Sequence, residues 1–166
     1  MVWEAYKKVR SNHGSGGIDQ IEMEEYDANR SKHLYKLWNR MASGSYFPPP
    51  VKEVGIPKKD GKIRKLGIPT ISDRVGQMVI KDYLEARFEK LFTANSYGYR
   101  PGRNAHQALA MARQNCRTYD WVIDIDIKGF FDNIDHARLM KALERHVPEQ
   151  WCMIYITRWL QAPVQT

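Results

Sequence analysis

Two aspartates, Asp124 and Asp126, lie two positions apart in the isoleucine-rich stretch YDWVIDIDIKGFFDNIDH. Side chains alternate between the faces of a β-strand, so both carboxylates share one face and Ile123, Ile125 and Ile127 share the other. Burying an unpaired charge is costly, so a cation, a basic partner or solvent must lie against the carboxylate face. Mg²⁺ prefers such oxygen ligands, and a metal held there can support phosphoryl transfer. From these residues alone, a structural pair that faces basic side chains is an equal alternative.

The elements that must position the two aspartates are a strand, predicted over residues 121–127, and the helices around it. Apolar residues at helical spacing predict helices over 2–10, about 21–42, 71–92, 105–117, about 136–146 and about 149–160. The dipeptide Asp60-Gly61, between two short runs that contain apolar residues, predicts a β-hairpin with a basic tip. The predicted fold class is therefore α/β, of the α+β kind: mostly helical, with a basic β-hairpin and one further strand.

The charged residues are segregated along the chain. The 166 residues carry a net charge of +7 and are 43% hydrophobic, which allows a core and favours a polyanionic partner. Basic residues gather in 52–65, no acidic residue lies between Lys90 and Tyr119, and acids gather near 22–25 and 124–135. This segregation is typical of a nucleic-acid channel with a metal site at its floor. The alternative is solvated charge on a basic protein.

The two cysteines and the hydropathy restrict the cellular context. Cys116 and Cys152 lie in predicted helices without metal-ligand spacing, and we interpret them as reduced, buried thiols of a cytosolic protein. The sequence contains neither a signal peptide nor a long apolar span, so a membrane partner is not expected.

Three long motifs occur in a fixed order: YFPPPVKEVGIPKKDGKIRKLGIPTISDRVGQMVIKDYLEARFEKLF, NSYGYRPGRNAHQAL and WVIDIDIKGFFDNIDH. Together they resemble the N-terminal half of bacterial group II intron-encoded reverse transcriptases, which also act as intron maturases. The resemblance implies the fingers and an incomplete palm of a right-hand polymerase. It divides the chain into N-terminal extension helices (1–45), fingers (46–117) and the start of the palm with its first catalytic carboxylate (118–166). The fingers would contain the hairpin at about 50–68, the long helix at about 71–92 and an Arg-Gly loop at 95–104.

The resemblance gives Asp126 the central catalytic role. It matches the first catalytic aspartate of the palm, which holds two Mg²⁺ ions, and the backbone carbonyl of Ile127 would add a metal ligand near the nucleotide. Phe131 matches the bulky side chain that lies under the nucleotide sugar and rejects a 2′-hydroxyl. An ordinary core aromatic beside Phe130 is the alternative. Asp124 receives no catalytic role.

Two residues of the hairpin, Lys58 and Arg64, match the fingers residues that grip the nucleotide triphosphate in this family. A mobile basic ribbon can close on an anion, and arginine offers a bidentate fork. Solvated side chains at a hairpin tip are the alternative, and Lys59 or Lys62 could substitute for Lys58. Lys65 stands where the family usually has proline, which removes a backbone restraint.

The candidate contacts to template or primer lie in and after the fingers helix. Arg74, Arg100 and Arg103 are candidates for phosphate contacts, which would be independent of sequence and sensitive to salt. Tyr97 and Tyr99 could stack on bases, although buried loop aromatics are equally common.

The resemblance implies part of an RNA-directed DNA polymerase with a maturase role, which copies intron RNA into cDNA during retrohoming. Expected partners are group II intron RNA, an RNA template with a DNA primer, and deoxynucleoside triphosphates, in a bacterial cytoplasm on the nucleoid or a ribonucleoprotein. The 166 residues contain no Tyr-x-Asp-Asp hairpin and no Pro-Gln-Gly segment, so we interpret the chain as a fragment that is inactive alone. An incomplete palm predicts self-association through exposed apolar surface.

Two other functions remain open from the sequence. One is a non-catalytic module that binds intron RNA and assists splicing, which would be indifferent to Asp126→Asn. The other is a metal-dependent phosphohydrolase that uses Asp124 and Asp126, which lacks a His or Glu cluster to complete a site.

Overall fold

A computed structural model describes residues 1–57, 59 and 61–165. The described chain forms seven α-helices: α1 (Val2–Ser11), α2 (Met23–Ala28), α3 (Arg30–Ala42), α4 (Ile71–Phe88), α5 (Ala105–Asn115), α6 (His136–Glu144) and α7 (Gln150–Leu160). It also forms three strands: β1 (Val51–Pro57), β2 (Ile63–Ile68) and β3 (Val164–Gln165). A 3₁₀ helix, Glu89–Leu91, extends α4. The fold is therefore mixed α and β, as the sequence predicts.

The hydrophobic core lies around α4. Its apolar side chains repeat at helical spacing and pack against α1, α3 and α7. Burying a large apolar side chain of this kind contributes about 1.5–3 kcal/mol relative to leaving it in water. The core side chains, all buried, are Ala5, Tyr6, Val9, Met23, Tyr26, Leu34, Leu37, Tyr46, Ile71, Val75, Val79, Ile80, Leu84, Val147, Cys152 and Tyr155. Every one of them lies before residue 85 or after residue 146.

A buried carboxylate, Asp73, ties three parts of this core together. It is 1% exposed, and its Oδ1 accepts hydrogen bonds from the Tyr46 hydroxyl at 2.8 Å and the Trp159 indole at 2.6 Å. The Gln77 amide donates to its other oxygen at 3.2 Å. Burial raises the pKa of Asp73, and these three donors act in the opposite direction. The network fixes α7 and the segment before β1 onto the first turn of α4.

An ion pair fastens α7 to the far end of α4. Arg87 donates to both carboxylate oxygens of Glu149, at 2.7 Å each, and the Tyr83 hydroxyl donates to the same group at 3.0 Å. The hydrogen bond from Arg87 is the largest cause that lowers the pKa of Glu149, to about 2. Glu149 is also the residue before α7, so the pair fixes where that helix begins.

The helix predicted over residues 21–42 is two helices. Asn29 separates α2 from α3 with φ −115° and ψ 20°, which lie outside the helical region. Asparagine competes for backbone hydrogen bonds and disfavours a helix interior, so the break falls at a residue suited to it. The other five predicted helices are confirmed in position.

The three strands form one small sheet in the order β2-β1-β3. β1 and β2 are antiparallel with Lys52 opposite Ile68 and Pro57 opposite Ile63, so the predicted hairpin is confirmed. Asp60, on which part of that prediction rested, lies outside the described residues. β3 pairs with β1 in parallel, and Val51 N donates to the Pro163 carbonyl at 2.8 Å. The sheet thus brings the C-terminal strand to the base of the hairpin.

The prediction of a strand over residues 121–127 is wrong. The segment forms no strand, and its isoleucines are exposed rather than packed into a core. A strand must pair its backbone N–H and C=O groups, and no other part of the described chain pairs with this segment. Alternating side chains alone were therefore not enough to predict a strand. The prediction that Cys116 is buried is also wrong, since it lies exposed at the end of α5, whereas Cys152 is buried.

Among the residues that the structure describes, no helix is both long enough and apolar enough to cross a bilayer.

Candidate nucleotide and nucleic-acid site

Asp126 lies in an exposed segment without regular secondary structure, which ends in a tight turn. Gly129 has φ +60°, where a side chain would be strained, and an added Cβ would lie 2.8 Å from the Asn133 amide nitrogen. The Asn133 side chain donates to the Gly129 carbonyl at 2.8 Å and closes the turn. Asp135 then caps α6 by accepting from Arg138 N at 3.1 Å. Local hydrogen bonds therefore hold the turn that follows Asp126, although no sheet supports it.

The oxygen donors available for Mg²⁺ are of the right chemical type but too few. The Asp126 carboxylate and the Ile127 carbonyl are hard ligands that suit this ion. Within the described residues, no group of three or more His, Cys, Asp or Glu side chains is positioned to hold a metal ion. Asp126 and Ile127 could thus contribute ligands only to a site that other groups complete.

Phe131 projects into solvent near this turn. It is 82% exposed, and its ring packs edge-on against Phe130 with centroids 5.2 Å apart. This exposure contradicts the alternative of an ordinary core aromatic. A contact between Phe131 and a nucleotide sugar stays a prediction.

The hairpin presents Arg64 on β2, directly opposite Ile56 of β1, and its side chain is exposed. Lys65 forms a cross-strand ion pair with Glu53 at 2.9 Å, which compensates part of the restraint lost with proline. Lys58, the other predicted triphosphate contact, lies outside the described residues. In the part of the chain that is described, no hydrogen bond or ion pair joins Arg64 to Asp126 directly.

Arg74 lies against the N-terminal glycine-rich loop rather than in open solvent. Its guanidinium donates to the Ser15 carbonyl at 2.5 Å and the Gly14 carbonyl at 3.4 Å, while its buried Nε has no partner among the described residues. Burial lowers the pKa of Arg74, and nearby Asp19 and Glu22 oppose that effect. The geometry makes Arg74 a support for the loop, and its contact with nucleic acid stays a prediction.

Arg100 and Arg103 differ in how much of each is available to a ligand. The Arg100 side chain is 6% exposed, pairs with Glu89 at 2.6 Å and donates to the carbonyls of Thr93 and Ser96 at 2.7 Å each. Little of it can reach a phosphate without breaking these bonds. Arg103 instead lies over the Tyr97 ring, 5.4 Å from its centroid, at the surface.

Tyr99 is the most open of the predicted stacking residues. It has φ +55° and is fully exposed on the loop before α5. A non-glycine residue in this backbone region is uncommon and strained. The stacking roles of Tyr97 and Tyr99 stay predictions.

Comparison with protein-family models decides the family of this chain. The model described as "Reverse transcriptase (RNA-dependent DNA polymerase)" matches residues 56–166, well over half of the chain. The chain belongs to the reverse transcriptase family. The matched region of this reverse transcriptase contains β2, the loop with Arg100 and the segment with Asp126.

Similar curated proteins extend the likeness towards the N-terminus. The chain is 32% identical over 163 residues to the group II intron-encoded protein LtrA of Lactococcus lactis subsp. cremoris, which covers 98% of this chain and 27% of that protein. It is 32% identical over 151 residues to protein YkfC of Escherichia coli K12, covering 88% of this chain and 40% of that protein. It is 33% identical over 93 residues to nuclear intron maturase 1, mitochondrial, of Arabidopsis thaliana, covering 54% of this chain and 13% of that protein. The chain thus spans well under half the length of these relatives.

A cavity of about 320 Å³, which the sequence did not predict, lies between α3 and the segment before β1. Lys36 and Arg40 of α3 and the exposed Phe47 line it. The basic residues that recur along α3 are visible in the sequence and could have indicated this site. The position of Phe47 could not be predicted from the sequence, because the residue that holds its ring, Arg158, lies on the distant helix α7.

Proposed function

We propose that this chain forms part of an RNA-directed DNA polymerase that copies intron RNA into cDNA and assists splicing as a maturase. The observation that carries the proposal is the reverse transcriptase match over residues 56–166, which includes Asp126. Likeness to an intron-encoded protein over 98% of the chain supports the intron context. The partners would be group II intron RNA, an RNA template with a DNA primer, and deoxynucleoside triphosphates.

In this proposal Asp126 acts at the centre of nucleotidyl transfer. The primer 3′ oxygen forms a bond to the α-phosphorus of the nucleotide, and the bond to pyrophosphate breaks. Bound Mg²⁺ would stabilise the attacking and leaving oxygens. The chain's own contribution is the exposed Asp126 carboxylate and the Ile127 carbonyl as ligands, with Gly129 closing the turn that orients them.

The hairpin would supply the charge that binds the triphosphate. Arg64 lies exposed on β2, and a guanidinium can bind phosphate oxygens through two parallel hydrogen bonds. A bound nucleotide would lie between Arg64 and Asp126, with its triphosphate at the hairpin and its α-phosphate near Asp126. We propose Lys58, which follows Pro57 in the sequence, as a second contact.

Asp126→Asn tests the polymerase assignment. The experiment uses the complete protein that the gene encodes, in a primer-extension assay on an RNA template with Mg²⁺. Asparagine removes the negative ligand while keeping the side-chain size, so we expect extension to fall by at least about 100-fold, in line with the loss of a metal ligand's orientation and charge.

Asp124→Asn is the matched control, since it removes one charge two residues away and carries no proposed catalytic role. We expect it to keep extension within a few-fold of wild type. Equal activity of Asp126→Asn and wild type would overturn the polymerase assignment.

The second candidate is a module that binds intron RNA without chemistry. One observation favours it: α3 carries Arg30, Lys32, Lys36 and Arg40 and no acidic residue, with Tyr35 and Trp38 exposed. Basic and aromatic side chains on one helix suit nucleic-acid binding. RNA binding that survives in a protein without extension activity would favour this candidate.

A further inference from the structure

An exposed aromatic ring is held rigidly at the surface before β1. Phe47 is 68% exposed, yet its backbone continues from the buried Tyr46 and runs into three consecutive prolines. Tyr46 is anchored by its hydroxyl to Asp73, and each proline fixes its own φ. An aromatic side chain that stays in water contributes little hydrophobic energy to the fold. The fixed position of the exposed Phe47 ring therefore suggests that the ring binds a ligand.

Arg158 of α7 completes the support of this ring. Its guanidinium lies 3.9 Å from the centroid of Phe47 and donates to the carbonyls of Gly44 and Tyr46 at 2.8 and 2.6 Å. The arginine therefore covers part of the ring and also fixes the backbone on which the ring is carried. Because the ring is ordered before any ligand arrives, binding would cost little conformational entropy.

The ring borders the cavity of about 320 Å³, which also contains basic side chains of α3. Lys36 and Arg40 are exposed, lie one helical turn apart and form no ion pair with any acidic residue among those described. One acidic residue, Asp19, also lines the cavity. The cavity therefore offers two cations, the exposed Phe47 ring and several polar groups, among them the Asp19 carboxylate and the hydroxyls of Thr70 and Ser72.

These features match one nucleotide of a single strand. The volume lies at the lower end of small-ligand sites and leaves no room for a duplex. Stacking of a base on an aromatic ring is the general device for binding single strands, and two cations can bind a phosphate. The Asp19 carboxylate repels a phosphate placed beside it, but it can accept from a sugar hydroxyl or a base amine.

We propose that this cavity, here called the Phe47 cavity, binds one nucleotide of single-stranded RNA, with the base on Phe47 and the phosphate on Lys36 and Arg40. The inference rests on the proposed function in taking RNA as the partner. It adds a binding subsite whose proposed contacts, Phe47, Lys36 and Arg40, lie before the region matched by the family model and away from Asp126 in the sequence.

Phe47→Leu tests the subsite in the complete 166-residue chain. Binding of a fluorescent oligouridylate is measured by anisotropy, and leucine keeps an apolar side chain while removing the ring. We expect affinity to fall by about 5- to 100-fold, the range that corresponds to loss of one stacked base. Phe47→Trp keeps a stacking surface, so its affinity should stay within about twofold of wild type or increase.

Tyr119→Leu is the matched control, because Tyr119 is about as exposed as Phe47 and does not line the cavity. Its affinity should stay within about twofold of wild type. Thermal unfolding of each variant checks the fold, since Phe47→Leu also removes the contact with Arg158. Photo-crosslinking of 5-iodouridine RNA to wild-type protein, mapped by mass spectrometry, should place the adduct on Phe47.

Charge variants test the phosphate part of the subsite. Lys36→Gln and Arg40→Gln should each lower the slope of log affinity against log salt by about 0.7, the value for one phosphate contact with a single strand. Lys90→Gln, which removes an exposed lysine on the 3₁₀ helix, should leave that slope unchanged.

The outcomes separate failure of the subsite from failure of the proposed function. RNA binding that is equal in wild type, Phe47→Leu and Tyr119→Leu would overturn the subsite and leave the proposed function intact. A wild-type chain that binds no oligouridylate even at low salt would overturn the subsite and the RNA-binding part of the proposed function together. The primer-extension comparison at Asp126 is independent of both results.

Discussion

Two carboxylates that fix α7 have opposite pKa shifts. Burial raises the pKa of Asp73, whereas the hydrogen bond from Arg87 lowers the pKa of Glu149 from its ordinary value of 4.5 to about 2. The direction of each pKa shift shows which protonation state of the carboxyl group the fold stabilises. The fold therefore favours the protonated form of Asp73 and the charged form of Glu149, and the two residues respond to acid with opposite effects on stability.

Glu149→Gln should remove one part of the acid sensitivity of the fold. A group whose folded pKa is lowered contributes stability above its unfolded pKa and loses it as pH falls through the folded pKa. Glu149 therefore contributes above about pH 4.5 and loses its contribution by about pH 2. We expect wild type to be the more stable protein at neutral pH and the difference from Glu149→Gln to shrink across this window.

Urea unfolding of both proteins at several pH values measures this difference. Asp73 is present in both proteins, so its opposite effect cancels in the comparison. Lys81 and Glu85 form an exposed ion pair on the same helix, and Glu85→Gln serves as the control with little change. A difference that stays constant from neutral pH to about pH 2 would contradict the role given to Glu149.

The roles of single residues were predictable only in part. The Asp126 segment, the basic hairpin and Arg64 follow from motifs that are continuous in the sequence. The contacts of Arg74 and Arg100 did not follow, because their partners include backbone carbonyls, which the sequence does not identify. The Phe47 cavity combines α3, the segment before β1 and α7, and no local pattern links these three.

At the scale of elements, the glycine-rich loop before α2 packs directly on the start of α4. A Cβ added at Gly17 would lie 2.6 Å from the Thr70 backbone nitrogen and 2.7 Å from its Cα. Thr70 is the N-cap of α4 and accepts a hydrogen bond from Asp73 N at 3.2 Å. The loop thus contacts the junction between the hairpin and the central helix of the core.

Gly17→Ala should therefore destabilise the fold. Both atoms that the new Cβ meets are backbone, so relief requires α4 or the loop to shift, and overpacking of this kind costs about 1–3 kcal/mol. Gly98→Ala is the matched control, because a Cβ there meets nothing within 4 Å. Urea denaturation measures both variants. Equal stability of Gly17→Ala and Gly98→Ala would show that the loop does not pack as described.

The sequence predicted those helices and strands that depend only on residues close to one another in the chain. Helix periodicity and the hairpin dipeptide act over a few residues, so those elements are confirmed. The strand at 121–127 failed because a strand depends on a partner elsewhere in space, and alternation of side chains cannot reveal whether that partner exists. The break at Asn29 was missed because the apolar spacing continues across it.

At the scale of the whole molecule, the buried core and the Asp126 segment lie in different parts of the chain. No residue between Leu84 and Val147 is buried, although this stretch contains α5, α6 and the Asp126 segment. Trp121, Ile123 and Ile125 are exposed side by side. Large contiguous apolar surfaces are rare on monomeric proteins and mark surfaces that become covered.

The exposed apolar segment therefore predicts self-association of the 166-residue chain. Among the described residues, the backbone N–H and C=O groups of 121–127 form no ladder, so they can pair with the same segment of a second copy, and the isoleucines would be buried at the same time. We expect the sedimentation coefficient of the wild-type chain to rise with concentration. Ile123→Lys should reduce this rise, because Ile123 is 84% exposed and a lysine there places charge in the interface without disturbing the core.

Leu109→Lys separates this effect from a general increase in positive charge. Leu109 is an exposed apolar residue of α5, so the variant adds the same charge away from the segment. It should associate as wild type does. If wild type sediments as a strict monomer at high concentration, the exposed segment does not drive association. If both lysine variants abolish association equally, repulsion between highly basic chains, and not the segment, controls the assembly.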